Sequence, residues 1–350
     1  MKKVSFLIGG LGGGGAERVT IAIADYFCRN GIQVNFIVFS DENQNYDFNK
    51  EINVSFLPVN SGKCSILKRL VALKAMLREQ DPDYVISLGL GHQYLFLDHL
   101  MKKYRFILSE RNSPVDFYKH WYERYFNRYC FERAYKVVFQ TEDAKAYYNT
   151  KIQSKSTIIF NPLTKALPEA YDGKREMRIV FVGRLAPQKN VYMLLDAFSS
   201  FHEKFPEYVL EIYGKGEQRD ELMAYSEKLQ IQDSVRFMGQ VSNVYDKMLK
   251  AAMYVSSSDF EGMSNSMIEA MALGMPVVCT DCPAGGARMV IDNGENGFLV
   301  PIKDADAMCC AMERIAGDPE LAQKFSRNAR KLREKLSTDV ICKQWKDLMD

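Results

Sequence analysis

Phe260-Glu261-Gly262-Met263-Ser264-Asn265-Ser266-Met267-Ile268-Glu269 holds two glutamates with seven residues between them, around a small polar step. The chain beyond Met267 is helical in pattern: Ile268, Ala270, Met271, Ala272 and Leu273, with Gly274 as a natural residue just past a helix end and Pro276 barring continuation. The short apolar run 277–279 then reads as a buried strand. Glu261 is therefore expected in a strand-to-helix loop and Glu269 in the first turns of the helix. Helical side chains lean toward the N-terminus, so both carboxylates can face one helix mouth. That mouth carries unsatisfied N–H groups and a partial positive charge, which suits a phosphate. A carboxylate on either side of a phosphate is well placed to grip the hydroxyls of a nucleotide sugar.

Outward from this stretch, strands alternate with helices. Residues 4–8, 34–39, 54–57, 84–88, 106–109, 136–139 and 157–160 read as strands, and 16–30 and 66–79 as helices between them. Residues 163–176, with Pro168 and Gly173, turn polar and read as a linker. The alternation restarts with strands at 178–182, 209–213, 235–238, 254–256, 277–279 and 297–300. Such alternation implies parallel sheets with helices on their faces, and 350 residues exceed the comfortable size of one core.

Val182-Gly183-Arg184-Leu185, followed by Gln188-Lys189-Asn190, puts a guanidinium and an ammonium around a turn after a strand. The two complement a diphosphate, and would stabilise the charge that grows as a glycosidic bond breaks. Asn190 reads as a cap for the helix 191–205. Downstream lie Thr280-Asp281-Cys282-Pro283-Ala284-Gly285-Gly286-Ala287-Arg288 and Asn293-Gly294-Glu295-Asn296-Gly297-Phe298-Leu299-Val300-Pro301. Together with the paired glutamates these segments resemble the retaining family 4 glycosyltransferases, with their E-x7-E signature, of the type that builds bacterial polysaccharides and lipid-linked glycans. The resemblance spans nearly the whole chain and is strongest over 179–301. At Met289 many relatives carry a glutamate.

The resemblance implies an α/β chain of GT-B fold: two Rossmann-like doubly wound domains facing a central cleft, with a C-terminal helix crossing back to the first. The boundaries expected are 1–165 for the acceptor domain, 166–330 for the donor domain and 331–350 for the crossover helix, anchored by Leu332, Leu336, Val340 and Trp345. It implies catalytic roles for Glu261, at the transferred sugar, and for Arg184 and Lys189. Donor contacts would come from Gly12, Gly13, Gly14, Gly15, Gly214, Gln240, Gly262, Met263, Ser264, Asn265, Ser266 and Glu269, the last at the ribose. His92 follows Ser87-Leu88-Gly89-Leu90-Gly91 at a strand end. Some relatives place an active-site histidine there; a structural histidine is the other reading. Ser109-Glu110-Arg111-Asn112-Ser113-Pro114 resembles a segment of polysaccharide-type relatives, and its Glu110 and Arg111 either pair or face the acceptor.

Gly9-Gly10-Leu11-Gly12-Gly13-Gly14-Gly15 contains a literal GxGxxG from Gly10 to Gly15, with Asp41 after the next strand. Taken alone it supports an NAD-dependent oxidoreductase; a sugar-nucleotide epimerase shares the architecture. Beside a donor site in the second half, the glycines instead let backbone approach a phosphate or sugar.

Composition narrows the remaining classes. The hydrophobic share of 47% suits a soluble protein, and no apolar run nears the roughly 18 residues that span a bilayer. The cysteines show no paired CxxC spacing and the four histidines no metal spacing, so no disulfide framework, metal or cofactor is expected, in a reducing cytoplasm. Net charge is +2, but residues 1–170 hold 23 basic against 17 acidic side chains. That bias points to an anionic partner. The expected partners are a nucleotide-sugar donor, probed first as a UDP-sugar, a glycan or polyprenyl-diphosphate-linked acceptor, and an anionic membrane met peripherally on its inner face; no nucleic-acid module is recognisable. Two helices compete for the membrane. Residues 63–79 carry Ile66, Leu70, Leu73 and Leu77 in one stripe flanked by Lys63, Arg69, Lys74 and Arg78, a pattern equally of an interfacial and of a surface helix. Residues 117–136 carry Trp121, Tyr122, Tyr125, Phe126 and Tyr129 all round, which favours partial burial.

Overall fold

The computed structural model describes residues 1–11, 14–39, 47–57, 66–89, 102–118 and 120–350. They form two compact units, Met1–Thr164 with Leu336–Asp350, and Lys165–Lys335.

The first unit is built on β1 (Lys3–Ile8), β2 (Gln33–Val38), β3 (Asn53–Phe56), β4 (Tyr84–Leu88), β5 (Arg105–Ser109), β6 (Lys136–Phe139) and β7 (Ser156–Ile158). All pair in parallel, in the order β3-β2-β1-β4-β5-β6-β7. Central strands such as β1 and β4 are buried almost throughout, because helices cover both sheet faces. Phe6 packs on Phe27 of the Gly15–Arg29 helix at 5.9 Å and edge-on to Phe36 of β2 at 6.0 Å.

The second unit repeats the plan with β8 (Glu176–Val182), β9 (Val209–Tyr213), β10 (Val235–Gly239), β11 (Ala251–Ser256), β12 (Val277–Thr280) and β13 (Phe298–Val300), ordered β10-β9-β8-β11-β12-β13. In each sheet the order reverses beside the first strand, between β1 and β4 and between β8 and β11. Ligands of doubly wound sheets bind outside the carboxyl ends of the strands at such a reversal. In the second unit those two ends are the arginine-lysine loop and the first glutamate of the E-x7-E stretch.

The expected C-terminal anchors need amendment. The C-terminal Thr338–Asp347 helix packs on the Gly15–Arg29 helix of the first unit. Leu336 and Trp345 are buried anchors, but Val340 is exposed and Leu332 only half-buried; Ile341 and Cys342 take the inward positions. The helical phase decides this, since Ile341 and Trp345 share a face four residues apart that Val340 does not. The polar segment before β8, read as a linker, is held down by hydrogen bonds. Its Arg175 donates to the carbonyls of Leu249 and Ala251 at 3.1 and 3.0 Å, and burial pushes its pKa down to about 10.

The two membrane-candidate helices are both partly buried. In the Ile66–Gln80 helix, Leu70, Leu73 and Leu77 are buried in the first unit, so this stripe is spent on the core; Lys63 and the Ile66 side chain lie outside what is described. The Trp121–Arg133 helix buries Asn127, Cys130 and Phe131 and leaves Trp121, Tyr122 and Tyr125 exposed.

Candidate active site

The site grows from the carboxyl ends of β8 and β11. After β8 the chain runs through Gly183 and Arg184 into the 3-10 turn Pro187–Lys189, then the Val191–Lys204 helix. Asn190 joins the two in a left-handed conformation, φ 44° and ψ 52°. Asparagine tolerates this because its short amide finds local partners. Its side-chain oxygen accepts from the Met193 N–H at 3.3 Å, and its Nδ2 donates to Asp259 Oδ1 at 2.8 Å.

Residues 257–261, after β11, are laced to this turn. Ser257 Oγ donates to the Lys189 carbonyl at 2.9 Å, the Asp259 N–H donates to the Gln188 carbonyl at 2.9 Å, and Gln188 Nε2 donates to the Phe260 carbonyl at 2.9 Å. On the other side, Glu261 N–H donates to the Pro283 carbonyl at 2.6 Å and Ala284 N–H to the Glu261 carbonyl at 3.0 Å. Three loops thus hold Lys189 and Glu261 together, and their ammonium and carboxylate pair. The side chains are 14% and 21% exposed, so solvent reaches the pair but screens it only in part.

Glu261 leads into the Asn265–Ala272 helix, which ends at Gly274 in a left-handed turn, φ 72°. The N-cap is Ser264, whose hydroxyl makes no cap bond. It sits 3.1 Å from Ser266 Oγ, which donates to the Val182 carbonyl at 2.9 Å and lies 2.9 Å from the Tyr254 hydroxyl. The serines therefore tie the helix start to the end of β8, at a helix mouth whose partial positive charge suits an anion. Glu269, one turn in, is 3% exposed and accepts from the Tyr245 hydroxyl at 3.3 Å. Tyr245 carries no sequence motif; only the packing of the Val244–Leu249 helix brings it to Glu269.

Glycine is required where backbones nearly touch. A Cβ on Gly214, whose φ is 141°, would lie 1.9 Å from the Gly183 carbonyl oxygen, and one on Gly286 would lie 1.8 Å from that of Gly262. Side chains at either place would push apart the loops that frame the Lys189–Glu261 pair.

The remaining sequence-derived candidates are divided between the two units. The Arg184 side chain is exposed and unpaired among the described residues. Gln240 is exposed after β10, while Gly262 and Met263 are buried. Asn265 and Ser266 are half-buried. Gly14 and Gly15 stand exposed at the start of the Gly15–Arg29 helix. Gly12, Gly13, Asp41 and His92 lie outside the described residues. Glu110 and Arg111 form no ion pair among the described residues. The Glu110 carboxylate accepts from Tyr118, Tyr148 and Asn127 at 3.0–3.1 Å, and burial raises its pKa. Arg111 turns to Asn161 Oδ1 at 2.8 Å and lies over the Trp345 ring. Cys279 and Cys282 are buried thiols whose pKa values burial pushes up, Cys282 to about 12. Among the described residues no three His, Cys, Asp or Glu side chains are grouped to hold a metal.

Comparison with known proteins turns this geometry into a class. The solved structure of S. aureus TarM with UDP and alpha-GlcNAc-glycerol superposes with a TM-score of 0.82 at 16% identity, covering 100% of both chains. Anabaena HepE with UDP and glucose gives 0.82 at 17% identity, covering 99% of each. The fold is that of the GT-B glycosyltransferases. Two family models divide the sequence between them: Glycosyltransferase Family 4 over residues 13–164 and Glycosyl transferases group 1 over residues 169–332. The chain belongs to the family 4 glycosyltransferases. An uncharacterized glycosyltransferase of Haemophilus influenzae is 29% identical over 100% of both chains. A Campylobacter jejuni relative is 26% identical over 94% of both. It is the N-acetylgalactosamine-N,N'-diacetylbacillosaminyl-diphospho-undecaprenol 4-alpha-N-acetylgalactosaminyltransferase. These matches give no support to the oxidoreductase reading of Gly10–Gly15, since the family 4 model covers residues 13–164.

Proposed function

We propose that the enzyme moves a sugar from a nucleotide-sugar donor, a UDP-sugar before others, to a glycan or polyprenyl-diphosphate-linked acceptor with retention of anomeric configuration. The observation that carries the reading is the Lys189–Glu261 pair at the strand-order reversal, beside the start of the Asn265–Ala272 helix and the exposed Arg184. The donor diphosphate sits at that mouth, with Arg184 and Lys189 balancing its charge. Glu269 takes the ribose hydroxyls, because a carboxylate beside two phosphates is repelled and must face hydroxyls. Glu261 holds the transferred sugar. The acceptor hydroxyl attacks the anomeric carbon from the face the diphosphate leaves. The bond from that carbon to the phosphate oxygen breaks, and the departing diphosphate takes the hydroxyl proton. UDP in the TarM and HepE structures supports the choice of base, and the diphospho-undecaprenol in the name of the Campylobacter relative supports a lipid-linked acceptor.

A calorimetric panel of UDP-, GDP- and ADP-sugars tests the donor: UDP-sugars should bind tightest. NMR of the product tests the stereochemistry. An α linkage from an α donor is expected, and a β linkage would refute retention. Return of a nucleotide-linked sugar epimer, with no acceptor glycosylated, would point to the epimerase instead.

A further inference from the structure

We infer that Arg111 is the centre of an oxyanion-binding site in the first unit, which takes an anionic group of the acceptor. Arg111 lies two residues past β5, among the carboxyl ends of the parallel strands, the side on which doubly wound sheets bind ligands. Its Nη1 donates to Asn161 Oδ1 at 2.8 Å, and the same oxygen accepts from Gln140 Nε2 at 2.6 Å. The guanidinium also lies over the Trp345 ring, 5.5 Å from the centroid. Glu110 turns away to Tyr118, Tyr148 and Asn127, and no carboxylate pairs with the guanidinium among the described residues. Arg111 Nε and Nη2 are buried and have no partner among the described residues. Ser109 Oγ, on the last residue of β5, and Trp345 Nε1 are in the same state.

The unused atoms select the ligand. A guanidinium presents Nε–H and one Nη–H side by side, a fork that matches the two oxygens of a phosphate or carboxylate. In Arg111 this edge is the unused one, since Asn161 takes Nη1 on the other side. A cation taken out of water without a counter-charge is costly, and buried polar groups left unpaired call for a role outside the packing. Burial accordingly pushes the Arg111 pKa down to about 9. An incoming oxyanion supplies both missing hydrogen bonds and the counter-charge. Packing alone uses less of the residue: Trp345 takes one face of the guanidinium and Asn161 one nitrogen, and Gln140 also holds Asn161. Arg111 as a whole is half-buried, so the fork lies just beneath the surface of the unit. Gly89, next after β4, brings no side chain against its stem; a Cβ there would lie 3.8 Å from Arg111 Cγ. The inference rests on the proposed transfer to a glycan or lipid-linked acceptor. Two acceptor groups carry this chemistry, the diphosphate of a lipid-linked glycan and the carboxylate of an acidic sugar.

Protein of the full 350-residue sequence, saturated with UDP, is titrated calorimetrically with inorganic pyrophosphate and, separately, with glucuronate. Wild type should bind at least one of them. Binding of pyrophosphate identifies the diphosphate as the group, and binding of glucuronate alone identifies the acidic sugar. Arg111→Met should lose roughly 10–100-fold in that affinity, and Arg111→Lys, which keeps the charge without the fork, about tenfold. The melting temperature of Arg111→Met should equal or exceed that of wild type, because the change removes a buried charge that nothing pairs and Asn161 keeps its Gln140 donor. With a short-chain polyprenyl-diphosphate-linked glycan, or a uronate-bearing one if only glucuronate binds, the acceptor KM should rise about 10–100-fold at unchanged donor KM. Four results would overturn the assignment: neither anion binding to wild type, equal affinity in wild type and Arg111→Met, an unchanged acceptor KM, or a melting temperature several degrees lower in Arg111→Met, which would make the arginine structural. Pyrophosphate that reaches the donor site shifts both proteins alike. A wrong reading of the reaction shows as wild type without turnover, and a wrong assignment of Arg111 as a variant that binds like wild type.

Discussion

Alanine at Lys189 and alanine at Arg184 should have different consequences, although both residues are assigned to the same diphosphate. Lys189 is paired with Glu261, and both side chains are mostly covered. Unit charges about 4 Å apart attract by about 4 kcal/mol at an effective dielectric near 20, and desolvation offsets much of this. Removing the lysine leaves Glu261 partly sealed with no counter-charge. Orphaning a fully buried partner costs roughly 3–5 kcal/mol, and the residual exposure here brings that to about 1–3 kcal/mol. For a unit of this size the melting temperature should fall by about 3–10 °C. Arg184 is exposed and unpaired among the described residues, so its removal should stay within about 0.5 kcal/mol. Turnover should fall about 10²–10³-fold in both, since each would lose a charged contact to the leaving group. Differential scanning fluorimetry and steady-state kinetics with a UDP-sugar separate the two axes. Wild-type melting and turnover for Lys189→Ala would refute the reasoning. Equal destabilisation by the two variants would refute the claim that only Lys189 is built into the loop framework.

Three further outcomes rest on the same geometry. Tyr245→Phe removes a hydroxyl donor from Glu269 and should weaken UDP binding by roughly 3–10-fold in calorimetry, about 1 kcal/mol, with turnover at saturation unchanged; an equal loss in turnover would place Tyr245 nearer the reacting sugar. Gly286→Ala must move the Gly262 backbone and should cost about 2–4 kcal/mol with loss of activity, whereas Gly239→Ala, at φ 68° with open space, should cost only about 1–2 kcal/mol; urea unfolding ranks the two. Glu110 has a raised native pKa, so the native state holds its proton more tightly than the unfolded chain. Its contribution is fully present below the ordinary carboxylate range and is lost as pH rises through the native value. Glu110→Gln should flatten that decline above the ordinary carboxylate range, and a wild-type slope in the variant would assign it to another group.

Much of the architecture is legible in one dimension. Parallel strands covered on both faces must be apolar along their length, so β4, β6 and β9 could be read residue by residue from short apolar runs. The αL glycine after the Asn265–Ala272 helix and the capping asparagine before Val191 follow from local backbone chemistry, which neighbours in sequence decide. The E-x7-E stretch and the arginine-lysine loop were visible for the same reason: each is a strand end running into a helix start. The pairing of Lys189 with Glu261 was not visible, because 72 residues separate them and only adjacent strand ends unite them. Tyr245 was hidden likewise, since a tyrosine on a short helix has no pattern until its partner is placed. The two membrane-candidate helices show the limit most plainly. Both are apolar and basic in sequence, and periodicity says how a helix divides its surface, not what the dividing face meets. Tertiary packing spent Leu70, Leu73 and Leu77 on the core and left Trp121 and Tyr125 in water, because burial depends on which sheet face lies within reach.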